Sequence, residues 1–417
     1  MWVFYFFAAL LILQALVSLQ GGARYLSYIR RETARVFPNY TPYASIIAPC
    51  RGLDQGLHEN LAALFRQNYP AYEIIFVIDC VDDSALKVIE SVCREFGALE
   101  SVATRLIIAG EATASGQKVH NLRAAVGETN PKSEIFAFVD SDARPRPQWL
   151  RSLTAPLADE GMGATTGYRW FIPVKGGFAS TLLSVWNSSI ASALGPQSDR
   201  NFCWGGSTAI RRATFEQAQV MEEWRGAASD DFAMMRALRR ANLPIHFVPA
   251  CLTASHEDCS FMELLEFTTR QLKITRVYAP HLWQIILFSN LLFVTIFFGG
   301  LTLIITRVAL GLSFIAQLAF ILAIYILGGL KAYLRWRAVN VPLGDFRAEL
   351  RRDVLAHLFL WPLSSVLYLY NALAALLSRR IKWRGITYEL KSPKETVIIA
   401  PLRDKRDSKK VSSPDID

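Results

Sequence analysis

The sequence predicts an α/β protein, a doubly wound domain tied to a membrane by apolar helices. Three observations carry that prediction. Short apolar strands alternate with amphipathic helices from Ala44 to Asp142, three of the strand ends carry polar residues, and four long stretches lack Asp, Glu, Lys and Arg. Alternation at this spacing builds a parallel sheet with helices on both faces, and such sheets bind ligands at the carboxyl ends of their strands.

Taken in order, Met1 to Ala23 has no charge and is long enough to cross a hydrocarbon core about 30 Å thick. It lacks a basic leader and a small-residue cleavage site, so it reads as an uncleaved anchor. Ala44–Pro49 reads as the first strand, Cys50-Arg51-Gly52 as a loop, and 55–67 as a helix. Glu73–Asp79 is the second strand and ends in acids, with Asp82 and Asp83 close behind. Helical spacing of Val88, Ile89, Val92 and Phe96 predicts a helix over 84–96. A third strand is expected over 105–109, a helix over 118–126, a strand over 135–139, and another over Ile245–Pro249.

Gly177 to Leu194 is uncharged with Phe178, Leu182, Val185 and Trp186 at helical spacing, which fits either an interfacial helix or a core helix. The late apolar runs, 277–306, 308–330 and 354–378, are each long enough to span. Pro362 breaks the last, which reads as re-entrant or interfacial and keeps the following basic stretch inside. Beyond Lys391 the polar tail is expected to lack structure. The organisation is an anchor (1–23), a catalytic domain (40–280), membrane helices (281–378) and a basic, partly disordered tail (379–417).

Lys and Arg number 45 against 36 Asp and Glu, and the excess flanks the apolar runs: Arg24, Arg30, Arg31 and Arg35, then Lys331, Arg335 and Arg337, then Arg379, Arg380, Lys382 and Arg384. That is the positive-inside pattern, which predicts a multi-pass integral membrane protein with its catalytic domain in the cytoplasm, as in a bacterial inner membrane. No basic stretch is interleaved with aromatics, so nucleic acid is not an expected partner. The six cysteines include no C-x-x-C and read as reduced core residues. Neither a P-loop nor a dinucleotide fingerprint is present.

The chemistry concentrates where an apolar run ends in Asp140-Ser141-Asp142. Two carboxylates one residue apart can hold Mg²⁺ or Mn²⁺ and leave its other positions to phosphate oxygens, and the same residues equally suit a helix cap. Pro49 with Arg51, then Asp79 with Asp82, should reach the same sheet edge and complete a cradle for a nucleoside diphosphate. Asp231, with Asp230 beside it, opens an amphipathic helix and suits a base that takes a proton from an acceptor hydroxyl; the pair also suits capping. Trp204-Gly205-Gly206 offers a stacking face and close backbone approach for a sugar ring, or a tight turn onto a core tryptophan. His256 can bring an imidazole to the metal or the diphosphate, or be structural.

Read together, Pro49-Cys50-Arg51-Gly52, Asn60-Leu61, Asn68–Glu73, Asp82-Asp83, Lys118–Leu122, Asp140–Asp142 and Ser229–Phe232 resemble, in that order, a membrane-bound family-2 glycosyltransferase. The likeness is to the ceramide glucosyltransferase group and its bacterial relatives, hopanoid-type enzymes included, over roughly 45–280. It implies a GT-A fold, a UDP-sugar donor, and Mg²⁺ or Mn²⁺. Carried over, Asp82 or Asp79 would meet the nucleoside, Lys118 the diphosphate, Asp140 and Asp142 the metal, and Asp231 would be the base. The family's Arg/Gln-x-x-Arg-Trp motif is replaced by Arg270-Gln271-Leu272-Lys273-Ile274, leaving Arg270, Lys273 and Arg276 to neutralise diphosphate. The expected reaction is inverting transfer of a glucose-like hexose to a membrane-lipid hydroxyl of the ceramide or glycolipid type. A hopanoid or isoprenoid phosphate is the alternative acceptor. A metal-dependent lipid nucleotidyl- or phosphotransferase, and a non-catalytic scaffold, are the rival classes.

Overall fold

The computed structural model describes residues 1–97 and 99–401. Strands β1 (Ala44–Pro49), β2 (Tyr72–Ile78), β3 (Val102–Ile108), β4 (Ile135–Phe138), β5 (Ala164–Ile172), β6 (Thr208–Arg211) and β7 (Ile245–His256) form one sheet in the order β3-β2-β1-β4-β6-β5-β7. The first four are parallel, and β6 runs antiparallel to both its neighbours. β1, β2 and β4 are buried throughout because both faces are covered, which is why they read as near-continuous apolar runs. Pro49 pairs with Val77 and Ile47 with Phe138, so the ends of these three strands share one edge.

The helices are α1 (Trp2–Thr33), α2 (Leu57–Phe65), α3 (Ala85–Phe96), α4 (Gln117–Gly127), α5 (Trp149–Thr154), α6 (Phe178–Ala191), α7 (Arg212–Gln217) and α8 (Val220–Glu223). They continue as α9 (Asp230–Arg240), α10 (Phe261–Tyr278), α11 (Pro280–Ala309), α12 (Ile315–Val339), α13 (Arg347–Arg352), α14 (Val354–Phe359) and α15 (Trp361–Leu377). Of the two readings of 177–194, α6 is a packed helix: Leu182, Val185 and Trp186 are buried, and Ser184 donates to the Phe171 carbonyl at 2.7 Å.

α1, α11 and α12 are long and apolar enough to cross a membrane. α1 runs ten residues past the expected end of the anchor because Tyr25, Leu26, Tyr28 and Ile29 enter the core of the α/β domain. There the Tyr28 hydroxyl donates to the Phe247 carbonyl at 2.6 Å, and Glu32 meets His246 at 2.8 Å. The run at 354–378 breaks at Leu360, and both of its outer ends meet the α/β domain. His357 stacks on Trp170 of β5 at one end, and Arg276 of α10 donates to the Leu376 carbonyl at the other. Between them, Trp361 lies against Phe293 and Phe297 of α11.

Two expectations need correction. β7 passes through Pro249 and reaches His256, because the proline falls where the pairing with β5 shifts register, between Phe247 and Leu252. The chain beyond Lys391 is not without structure: β10 (Glu395–Pro401) pairs with β9 (Ile386–Ser392), which pairs with β8 (Arg380–Trp383), in an antiparallel sheet. Ile381, Ile386, Tyr388 and Leu390 alternate onto one buried face, against Ile274 and Tyr278 of α10. The rest of that expectation, 402–417, lies outside the described residues. The class is the expected one, an α/β domain with apolar helices.

Candidate active site

The sheet edge gathers charge of both signs. Lys118, in the first turn of α4, places its Nζ 2.6 Å from Asp140 Oδ1 and 3.1 Å from Asp230 Oδ2. Gly205 permits this: a Cβ there would collide with Asp230 Oδ2 and sit 2.6 Å from Lys118 Nζ. Burial alone would raise Asp140 and lower Lys118, but their mutual attraction outweighs it, holding Asp140 below and Lys118 above the usual values. Asp230 has only a share of that lysine, and burial raises it to about 6.

Asp142 faces a second cation. Its Oδ2 accepts from Arg169 Nη1 at 2.9 Å, while Oδ1 is buried with no partner. Burial and the Asp140 charge raise this carboxyl. Glu257, just past the end of β7, is raised to about 7 by burial and by Asp142. The β8–β9 turn adds Arg384, which pairs with Asp54 and feels both Asp142 and Asp140. Arg270 lies over the Trp383 ring at 5.3 Å with its Nε buried and unpartnered. Burial and the neighbouring Arg169 pull Arg270 down to about 10, so an anion is what this corner lacks.

A cavity of about 1290 Å³ opens from this cluster. Lys118, Asp140, Asp230, Asp231, Trp204 and Arg270 wall one end, and residues of α1, α11, α12 and α15 wall the other. Asp231 sits in the first turn of α9, where its Oδ1 accepts from the Ser229 hydroxyl and from the Phe232 N–H at 2.7 Å.

The sequence model described as Glycosyl transferase family 21 matches residues 3–396. The chain belongs to that family. Among curated relatives it is similar to ceramide glucosyltransferase 1 of Caenorhabditis elegans, 22% identical over 61% of this chain and 54% of the relative. It is also similar to ceramide glucosyltransferase 3 of the same organism, 31% identical over 20% of this chain and 18% of the relative. The chain thus spans about half the length of the first of these, and less of the second. Among solved structures, a mannosyltransferase from Pyrobaculum calidifontis in complex with GDP-Man and Mn²⁺ is similar at 15% identity and a TM-score of 0.46, over 89% of this chain and 99% of that one.

In this family 21 chain, Lys118, Asp140, Trp204, Gly205, Asp230, Asp231 and Arg270 meet on the cavity, with Asp142 beside them. Gly206 makes room for the Trp204 ring instead of a ligand. Pro49, Arg51 and Asp79 hold the neighbouring edge, where Arg51 pairs with Asp79 and donates from Nε to the Arg384 carbonyl at 3.1 Å. Asp82 is exposed; it is Asp83 that accepts from the N–H groups of Gly52 at 2.9 Å and Ala85 at 2.8 Å.

Three expected placements are corrected. Lys273 donates to the Arg380 carbonyl at 2.7 Å and Arg276 to the end of α15, so both anchor neighbouring elements instead of lining the cavity. His256 packs on the Phe346 ring, 5.1 Å between centroids, with Arg144 and Glu349 as its charged neighbours. Its successor Glu257 is the residue turned toward Asp142. The residues missed by sequence reasoning are Arg169, Glu257, Trp383 and Arg384. Only Arg169 left a signal, an arginine inside an otherwise uncharged strand.

Among the described residues, no three His, Cys, Asp or Glu side chains surround a common point. The orphaned Asp142 Oδ1, beside Asp140, nevertheless fits a hard cation that takes most of its ligands from phosphate oxygens and water.

Proposed function

We propose that the protein transfers a hexose from a UDP-sugar to a hydroxyl of a membrane lipid by a single inverting displacement, its α/β domain facing the cytoplasm and its apolar helices in the bilayer. The observation that carries this reading is the continuous cavity from the acid cluster to α1, α11, α12 and α15. A lipid entering among those helices reaches Asp231 without leaving the chamber. Family membership and the ceramide glucosyltransferase relatives support sugar transfer to a lipid.

In the proposed mechanism, Asp231 takes the acceptor proton on Oδ2, since Oδ1 is occupied by Ser229 and the Phe232 N–H. The N-terminus of α9 favours the charged carboxylate while it waits. Arg270, Arg169 and Arg384 face the donor diphosphate and lower the cost of its departure, and Lys118 fixes Asp140 and Asp230 between donor and acceptor. Asp140 and Asp142 would hold Mg²⁺ or Mn²⁺, which when bound supplies charge neutralisation for the leaving diphosphate.

The test is UDP release by purified protein in detergent with membrane lipid extract, UDP-glucose, UDP-galactose or UDP-N-acetylglucosamine, and Mg²⁺ or Mn²⁺. One donor should give lipid-dependent UDP. Asp231→Asn should reduce turnover by about 10²- to 10⁴-fold while leaving donor binding in place. Failure of every donor, or full turnover by the variant, rejects the reading.

A further inference from the structure

Where α12 meets α1 and α6, the cavity holds two cations that no acid answers. Lys331 and Arg335 lie one turn apart on α12, and both line the chamber. Arg335 is only 9% exposed; Nη1 donates to Ser188 Oγ at 2.9 Å, and its buried Nε has no partner. Lys331 donates to the Ser18 hydroxyl. Among the described residues neither is ion-paired with a carboxylate, whereas Lys118 and Arg169 toward the other end both are. Two further donors share the lining, since the indole N–H groups of Trp186 and Trp361 are buried without acceptors.

A buried, unpaired guanidinium costs several kcal/mol, and a second cation one turn away adds repulsion. Cations serving only to mark the membrane boundary extend their heads to water and avoid that cost. Arg335 does the reverse, turning inward to Ser188 of α6, in a chamber that Ile324, Leu327 and Phe293 also line with hydrocarbon. An anion with several acceptor oxygens on an apolar tail answers the cations and suits the walls.

We propose that this end of the cavity binds the phosphate of a membrane phospholipid, held by Lys331 and Arg335, and that the acceptor is a phosphate-bearing lipid with a free headgroup hydroxyl. The second clause rests on the function proposed above; the phosphate site stands without it. It narrows the acceptor away from neutral lipids such as ceramide or diacylglycerol.

The experiment measures retained lipid directly, by native mass spectrometry in neutral detergent with no sugar donor present. Phosphatidylglycerol is compared with diacylglycerol of the same chains on the intact protein, on Asp231→Asn, and on Arg335→Gln and Lys331→Gln. The intact protein and Asp231→Asn should retain the phospholipid about tenfold better, and the two cation variants should lose that preference. Millimolar inorganic phosphate should not displace it. Equal retention of the two lipids, an undiminished preference in Lys331→Gln, or displacement by inorganic phosphate would each overturn the proposal. If Arg335→Gln does not fold, Lys331→Gln and the two-lipid comparison still decide. Sugar transfer to diacylglycerol with no phospholipid preference rejects this site alone. Phospholipid retention with no transfer from any donor leaves the site standing and rejects the reaction.

Discussion

Glu257 carries its proton to unusually high pH, because burial and the Asp142 carboxylate raise it from 4.5 to about 7. A carboxyl raised on folding stabilises the native state fully below its unfolded value, and that contribution is lost as pH rises through the native value. Stability contributed here therefore falls between pH 4.5 and about 7, and Asp230, raised from 3.8 to about 6, acts in the same direction over a lower window. Glu257→Gln should remove the upper part of that slope. Thermal melting should show the variant more stable than the parent near pH 8, with no gain near pH 4.5. An unchanged slope would place the control of stability elsewhere. Glu257 shows why single positions escape sequence reading. His256-Glu257-Asp258 drew attention to its histidine because imidazole is the commoner ligand. Once β7 continues past Pro249, however, His256 goes to Phe346 and Glu257 to Asp142.

At the scale of elements, the C-terminal sheet is the largest surprise. β1, β2 and β4 were legible because strands buried on both faces need uninterrupted apolar sequence. β8 and β9 are covered on one face only, so their apolar residues alternate with polar and charged ones, and the basic residues among these resembled a membrane flank. Their docking is specific: Tyr388 Oη accepts from the Gln117 N–H at 3.2 Å, and Thr396 Oγ1 donates to the Gly226 carbonyl at 2.7 Å. Gly226 has φ +70°, and a Cβ there would collide with the Lys394 carbonyl. Gly226→Ala should loosen the sheet, at a cost of about 1–3 kcal/mol, and limited proteolysis should then cut within 380–401 first. Arg384→Ala should raise KM for the UDP-sugar about tenfold, the effect of losing one charge-assisted contact, while KM for lipid stays constant. Equal effects on both substrates would mean that Arg384 shapes the whole cleft.

For the whole molecule, the decisive feature is that two environments share one chamber. Asp140 and Asp231 were readable because polar groups at strand ends or helix starts, beside apolar runs, stand out in a linear sequence, whereas Lys118 was picked out only by the family resemblance. The chamber itself was not, since it is made by α1 from one end of the chain meeting α11, α12 and α15 from the other. Its width can be tested independently of chemistry. Ser365 of α15 lines the chamber, and on the proposed function Ser365→Trp should lower kcat/KM for lipid about tenfold or more while UDP binding, read by calorimetry, is unchanged. Weakened UDP binding would instead mean that the two ends of the chamber are mechanically coupled.

The position of Arg384 along the chain sets an order of assembly. It follows every apolar helix in the sequence, yet it joins Asp54, whose neighbouring strands are made long before the last of those helices. During synthesis the acid cleft lacks Arg384 until α11, α12 and α15 have been made. On the function proposed above, a half-made chain therefore has no finished donor pocket with which to consume nucleotide sugar.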